Sequence, residues 1–300
     1  DLLIIGGGGL LMDMYKRDAP LYSSLGVIAH YAGCKVAIYG VGAGPITTKP
    51  GTFLIKTLVN KANTISVRDE KSKNLLHSIG VKKEITVIGD PAFSLTSEPK
   101  QPTSEIKNVG ITVVPYYSAK YWPTSDEQTY EKYITGVARS LDELIEKKQV
   151  KITFFSTKYP QDVDVTKDVA ARMKHRDNVN LLEENLYPDE LIKIASEQDV
   201  IIGTRLHSLI LSVVAQTPII AIGYHQKVKD FMKTIKQEEL FLSIDEIMTE
   251  SHHFVEKVER LEKEWTKTQA NARTLSIHMK KEAVKGLAQL RMLGEKNEAK

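Results

Sequence analysis

An α/β fold with two parallel sheets and a helical C-terminal tail is predicted by three features of the chain. Short apolar runs alternate with helix-length segments of 3.6-residue periodicity over most of its length. The apolar runs are continuous instead of alternating, as expected for strands covered on both faces. One polar, proline-bearing stretch, Thr96-Ser97-Glu98-Pro99-Lys100-Gln101-Pro102-Thr103-Ser104, interrupts the alternation, which then restarts. Three hundred residues with 42% hydrophobic content suffice for two separate cores.

In the first half, Leu2–Ile5, Lys35–Tyr39, Thr64–Val67 and Ile85–Ile88 read as strands. Helices are expected near Leu21–Tyr31, Thr52–Ala62 and Glu70–Ser78, with Gly33 and Gly80 at the positions of C-terminal caps. In the second half the strands are Val109–Val114, Val150–Phe155, Val179–Leu182, Val200–Ile202 and Ile219–Ile222. Its helices are expected around Ser125–Lys147, Val163–His175, Pro188–Glu197, Leu206–Ala215 and Lys227–Ile235. The predicted organisation is a Rossmann-like domain over 1–98, a linker over 99–106, a second Rossmann-like domain over 107–250, and a helical tail over 251–300. Phe254, Val258, Leu261 and Trp265 recur at helical spacing, so the tail is expected to pack back on the domains. The chain opens on Asp1-Leu2-Leu3-Ile4-Ile5, already strand-like and without an initiator Met, and an N-terminal portion of the first domain is expected to be absent.

Composition narrows the function. A net charge of +3, from 41 Lys and Arg against 38 Asp and Glu, gives no concentrated basic face, and nucleic acid is not an expected partner. A single cysteine, Cys34, excludes an internal disulfide and fits the cytoplasm. The longest apolar stretch, Leu209–Tyr224, is interrupted by Ser212, Gln216, Thr217 and Pro218, too short for the ~20 residues of a membrane span. No signal-peptide pattern opens the chain. The basic finish of the tail (Lys280, Lys281, Lys285, Arg291) suits weak attraction to anionic lipid, hence peripheral attachment at the cytoplasmic membrane face.

The glycine runs do not encode a nucleotide site. Gly6–Gly9 is followed by Leu11 where G-x-G-x-x-G needs glycine, and Gly40-Val41-Gly42-Ala43-Gly44-Pro45 ends in proline. Both read as strand-to-helix turns whose N–H groups approach a ligand. His252 and His253 are adjacent on an expected helix, so their side chains should diverge by about 100°, and no metal site is expected. G-x-S-x-G is absent, and Ser208 reads as a helix-facing hydroxyl.

Cations on loops remain. Arg68 follows the strand Thr64–Val67, Arg205 and His207 follow Val200–Ile202, and Lys227 follows Ile219–Ile222 through Tyr224-His225-Gln226. Ligands of parallel sheets sit beyond the carboxyl ends of strands, which are the positions of these loops, expected to face a cleft between the domains. A helix N-terminus is already positive, and adding Arg205 and His207 is favourable once an anion arrives. Convergence of the two requires that they lie in the entering turn, with Thr204 as the expected cap. The predicted ligand is a phosphate, a carboxylate or both.

The segments GTRLHSLI (203–210), PIIAIGYHQK (218–227), ISVRDEKSKNLLHSIG (65–80) and IGDPAF (88–93) together resemble the polysaccharide pyruvyl transferase family. The resemblance is strongest to the bacterial branch acting on secondary cell-wall polymers. DLLIIGGGG and GVGAGPI also fit. It implies a glycosyltransferase-B-like pair of Rossmann domains. The implied reaction moves pyruvate from phosphoenolpyruvate to a hexose as a cyclic ketal, with release of phosphate. The implied acceptor is N-acetylmannosamine or a similar sugar on a polymeric or lipid-linked glycan, in cell-wall biogenesis connected with S-layer anchoring. Arg205, Leu206 and His207 match the family's donor-binding element and Arg68 its other donor-binding arginine, with Lys227 added here as a further donor contact. His207 is the first candidate for general acid–base work; His225 and Asp90 follow, and Asp90 before Pro91 equally reads as a turn residue. No cofactor or metal is expected beside the donor substrate. Two other readings stay open: a nucleotide-sugar glycosyltransferase of the same fold, and a non-catalytic glycan-binding protein.

Overall fold

A computed structural model describes residues 1–295 of the chain. They divide into two compact units, one formed by Asp1–Leu95 with the segment from Ile277 onward, the other by Thr96–Ser276.

The first unit carries a four-stranded parallel sheet in the order β1 (Leu2–Gly6), β2 (Lys35–Val41), β3 (Thr64–Val67), β4 (Thr86–Val87). Between the strands run α1 (Asp18–Tyr31), α2 (Lys49–Lys61) and α3 (Glu70–Ser78). Ile5, Val36, Ile38, Val41, Ile55, Leu58, Val67 and Leu76 form its core. Helix ends are set locally. Thr48 caps α2 by accepting from Gly51 N at 3.1 Å, and Asp69 caps α3 by accepting from Ser72 N at 2.6 Å. Gly33 and Gly80 close α1 and α3 at φ +84° and +90°, a backbone region that costs glycine nothing.

The second unit has six parallel strands: β5 (Asn108–Ile111), β6 (Lys151–Phe154), β7 (Val179–Leu181), β8 (Val200–Gly203), β9 (Ile219–Gly223) and β10 (Phe241–Ser243). Their order is β10-β9-β8-β5-β6-β7. Read from β7, this is the doubly wound 3-2-1-4-5-6 order, and its switch point lies between β5 and β8. The helices are α4 (Glu127–Lys148), α5 (Gln161–Arg172), α6 (Pro188–Glu197), α7 (Leu206–Val214), α8 (Gln226–Thr234), α9 (Ile244–Thr249) and α10 (His253–Glu262). α11 (Trp265–Glu295) begins in this unit and ends in the other.

Three details depart from the sequence expectation. β5 stops at Ile111, although Val113 and Val114 are fully buried, because Pro115 and a turn at Tyr116 end the ladder. β10 and α9 were not expected; β10 has three residues and only its parallel pairing with Ala221–Gly223 makes it a strand. The stretch read as a linker is tied down along the second unit. Ser97 Oγ donates to Val214 O, the Lys100 ammonium to Gln198 O and Thr217 Oγ1, and Thr103 Oγ1 to Asp199.

The tail is not one body. In the second unit Phe254, Val258 and Leu261 of α10 are buried, and the Trp265 indole N–H donates to Thr103 O at 2.9 Å. In the first unit Met279 and Ala283 of α11 are buried, and a side chain on Gly286 would strike Ile88 and Tyr39 at 2.5 Å. No helix among the described residues is long and apolar enough to cross a membrane.

Candidate active site

In the first unit, β3 delivers Arg68 to the carboxyl edge of the sheet, with a side chain only 13% exposed. Its Nη1 donates to Asp90 Oδ2 at 3.4 Å, and its Nε lies 3.6 Å from Asp69 Oδ2. Both carboxylates also work on the backbone: Asp69 caps α3, and Asp90 accepts from Ala92 N at 3.1 Å to open the 3-10 turn Pro91–Ser94. Asp90, named from the sequence as a candidate catalytic group or a turn residue, makes this turn and also braces Arg68. The guanidinium lies against Gly42, where no side chain intervenes.

The glycine loops differ from their expected use. Gly7 N donates to Tyr39 O, Gly42 N to Gly8 O at 2.7 Å and Gly44 N to Leu11 O at 2.8 Å, so the two loops satisfy one another. The N-terminus of α2 is answered internally as well. Asp13 accepts from the backbone and hydroxyl groups of both Thr47 and Thr48. Burial nudges the Asp13 carboxyl up, but those four donors hold it below its ordinary value. These loops position Arg68 and spend N–H groups on each other and on their neighbours, Gly40 N donating to Ser66 Oγ and Ala43 N to Ser72 Oγ.

In the second unit, Arg205 follows β8 after Thr204, at the switch point, and is the N-cap residue of α7 by its extended backbone. Thr204 is not the cap. It is fully buried, its N donating to Thr112 Oγ1 and its Oγ1 to Thr112 O, and so it ties β8 to the end of β5. Ser208 is buried, donating to Arg205 O and accepting from Thr112 Oγ1.

The Arg205 guanidinium forks onto Asp162: Nε to Oδ2 at 2.6 Å and Nη2 to Oδ1 at 2.5 Å. The Asp162 side chain is 0% exposed and that of Arg205 21%. Burial pushes the Asp162 carboxyl up, against the pull of the guanidinium. Burial pulls Arg205 down, and the hydrogen-bonded carboxylate more than reverses this. A bidentate pair of this kind fixes the plane of the guanidinium. Nη1 makes no hydrogen bond with another described residue. Asp162 was missed from the sequence, and an aspartate in the first turn of a helix carries no signal of such a role.

A group of rings adjoins this pair at the carboxyl ends of β5 and β9. Tyr133 and Tyr224 interact electrostatically with Arg205. Tyr116 packs on Tyr133, Tyr224 and Trp122 at centroid distances of 5.7, 6.1 and 5.2 Å, and Trp122 meets Tyr224 at 5.4 Å. Burial raises the phenols of Tyr133 and Tyr224 above their ordinary value. The sequence did signal this group: Tyr116, Tyr117, Tyr121 and Trp122 crowd into one post-strand loop.

His207 is exposed in the first turn of α7 and its imidazole hydrogen-bonds no other described residue; Leu206 beside it is half-buried. α7 differs from α2, α3 and α4, which Thr48, Asp69 and Asp126 cap. It has no capping side chain and no acidic residue in its first turn. His225 caps α8, its Nδ1 accepting from Lys227 N at 3.5 Å with its ring edge-on to Tyr224; Lys227 is exposed in that first turn. The second unit thus gathers Arg205, Leu206 and His207 on one helix start and His225 and Lys227 on another, while Arg68 and Asp90 belong to the first unit.

Comparison with known proteins agrees with this description. The amylovoran biosynthesis protein AmsJ of Erwinia amylovora is 21% identical over 268 residues, 83% of this chain; the chain spans 62% of that relative's length. A Listeria monocytogenes protein assigned as a UDP-N-acetylglucosamine 2-epimerase superposes with TM-score 0.66 at 11% identity, over 99% of this chain and 75% of its own. Anabaena Alr3699/HepE, solved in complex with UDP-glucose, gives TM-score 0.57 at 12% identity, over 99% and 79%. These likenesses show the fold, two Rossmann-like parallel-sheet units of the glycosyltransferase-B class. The family described as "Polysaccharide pyruvyl transferase" matches residues 1–226, and with three quarters of its length inside that match the chain belongs to the polysaccharide pyruvyl transferase family.

Proposed function

We propose that this chain carries the machinery that transfers pyruvate from phosphoenolpyruvate to a hexose of a cell-wall polysaccharide or its lipid-linked precursor. The product is a cyclic ketal, and phosphate is released. The observation that carries the reading is the start of α7, an uncapped helix end at the switch point of the second sheet, flanked by a guanidinium that Asp162 holds in one plane. Such an end supplies N–H groups and positive potential to a phosphate or carboxylate.

In this reading Arg205 offers Nη1 to the donor while Asp162 orients it, and Arg68 keeps the donor-binding role that the family resemblance gives it. A proton is delivered to the methylene carbon of phosphoenolpyruvate, making it a methyl group. One sugar hydroxyl attacks C2, phosphate departs with its electron pair, and a second hydroxyl attacks the same carbon to close the ketal. The hydroxyl protons leave to a base. His207, exposed beside the helix end, is the group assigned to these transfers, with His225 as the alternative. Lys227 serves the departing phosphate. Arginines and the helix end offset the developing charge, so the step requires no metal. The acceptor hexose, N-acetylmannosamine in the closest reading, lies against Tyr224, which interacts with Arg205, and Trp122, which packs on Tyr224. The work is done in the cytoplasm, at the membrane face when the acceptor is lipid-linked.

The test is incubation with phosphoenolpyruvate and a panel of glycan acceptors, read by mass spectrometry for the ketal and by phosphate release. A parallel arm supplies UDP-sugars, because a fold neighbour was solved with UDP-glucose. Ketal formation supports the proposal; sugar transfer without phosphoenolpyruvate consumption replaces it with a glycosyltransferase. Glycan binding that needs neither Arg68 nor Arg205, with no turnover, replaces it with a binding protein.

A further inference from the structure

We propose that Glu250, His252 and His253 form a binding site for a late first-row divalent cation, with Zn²⁺ as its occupant. One ligand atom from each residue lies within 4.8 Å of the others. His252 Nδ1 and Glu250 Oε2 are 3.1 Å apart, close to the ~3.4 Å edge of a tetrahedron built on zinc–ligand bonds of about 2.0–2.1 Å. The two imidazole rings, expected from the sequence to diverge, have centroids 4.3 Å apart. The reason is their place. They stand at the very start of α10, where side chains tilt toward the N-terminus and no preceding turn separates them.

The scaffold beneath them is fixed. Phe254 and Val255, the next two residues, are buried at 0% and 3% exposure. The connection from α9 is pinned to α4 on both sides: Ser251 Oγ donates to Glu143 Oε2 at 2.5 Å, and Arg139 Nη2 to Thr249 O at 3.1 Å. Glu256, one turn on, faces His253 Nδ1 at 3.4 Å and His252 Nε2 at 3.5 Å. A carboxylate in that position orients ligating imidazoles and determines which ring nitrogen is left for the metal. Glu143 and Glu246 add further negative charge toward the pair. Nearby cations are Arg139, spent on Thr249 O, Lys147, which binds Glu143 at 2.6 Å, and Lys257, which faces Glu246.

Two imidazoles with one carboxylate suit zinc and its neighbours, whereas magnesium and calcium prefer all-oxygen sites. Water completes the coordination. Bound metal would clip the α9–α10 turn, and the site draws on none of the residues around Arg205.

The experiment uses the full chain stripped of metal and titrated with Zn²⁺ against a chromogenic chelator, with bound zinc counted by atomic absorption. One zinc per chain is expected, unaffected by excess Mg²⁺. Co²⁺ in its place should give the intense visible absorption of a four-coordinate site. Glu250→Gln should weaken zinc binding by at least ~10-fold, the scale of losing one contact. The double variant His252→Asn/His253→Asn should abolish it, with far-UV circular dichroism unchanged because all three side chains reach the surface. A wild-type chain that takes up no zinc, or a double variant that binds it as well as wild type, overturns the proposal.

Discussion

A side chain on Gly42 would place its first carbon 2.9 Å from both Nε and Nη2 of Arg68. The guanidinium therefore keeps its position because the residue opposite it has nothing to put there. The obstruction would fall on the far end of a flexible side chain, which can yield, and not on backbone. Gly42→Ala should leave thermal stability nearly unchanged while shifting Arg68 away from Asp90. Phosphoenolpyruvate-dependent activity should then fall by at least ~10-fold, the worth of one contact of about 1.4 kcal/mol. Thermal melts run beside initial-rate assays would decide it; activity equal to wild type would remove Arg68 from the donor site.

The pair Arg205–Asp162 predicts two distinct phenotypes. Arg205→Lys keeps the charge and loses the fork, so kcat/KM should drop by ~10-fold or more in a folded protein. Asp162→Asn strands a mostly buried guanidinium and should lower stability by about 3 kcal/mol, read from the denaturation midpoint. An Asp162→Asn protein as stable as wild type would show that the pair does not hold Arg205 in place.

His207 can be separated from binding. His207→Asn should lower the rate of ketal formation by roughly 10²-fold, a common worth of a positioned acid or base. Affinity for phosphoenolpyruvate, measured by calorimetry, should change far less. A variant that loses affinity and turnover together would make His207 a donor contact only, and pass the proton transfer to His225.

Lys100 makes stability depend on pH. Burial against Gln198 O and Thr217 Oγ1 pulls its ammonium down to about 8, with Asp199 opposing. The unfolded chain, with lysines near their ordinary ~10.4, then binds more protons than the folded one between those two values. The contribution of Lys100 to stability is complete above the unfolded value and is lost as pH falls through about 8. The stability of wild type relative to Lys100→Met should therefore rise from pH 8 toward pH 10, followed by urea unfolding. A flat difference would mean that the ammonium is solvated.

Chelator treatment should leave the pyruvyl-transfer rate unchanged, because the proposed chemistry uses arginines and a helix end. Loss of activity restored by a divalent ion would require a metal in the reaction itself.

Much of the fold was legible because its cause is local. The β8 run Val200–Ile202, fully buried on both faces, can hardly be anything but an inner strand, and Gly33 and Gly80 end their helices where the left-handed turn demands glycine. What escaped was set by distant partners. Phe241-Leu242-Ser243 is a strand only because Ala221–Gly223 offers a free edge. Arg205, His207 and Arg68 could be named because cations at strand ends face a ligand edge. Asp162 could not, because its meaning depends on a guanidinium 43 residues away in sequence. The two histidine rings were expected to diverge because a helix start was treated as though it were a helix middle; their centroids lie 4.3 Å apart.

The strand order of the second sheet also governs when the site comes into being. β5, β6 and β7 are consecutive in the chain and sit side by side, so that half of the sheet can assemble from neighbours. Joining β8 to β5 instead requires Thr204 to find Thr112, 92 residues earlier, after the largest loop closure in the sheet. The start of α7 hangs from that seam. Folding rate and acquisition of donor binding should thus share one slow step, and substitutions at Thr112 or Thr204 should delay both together.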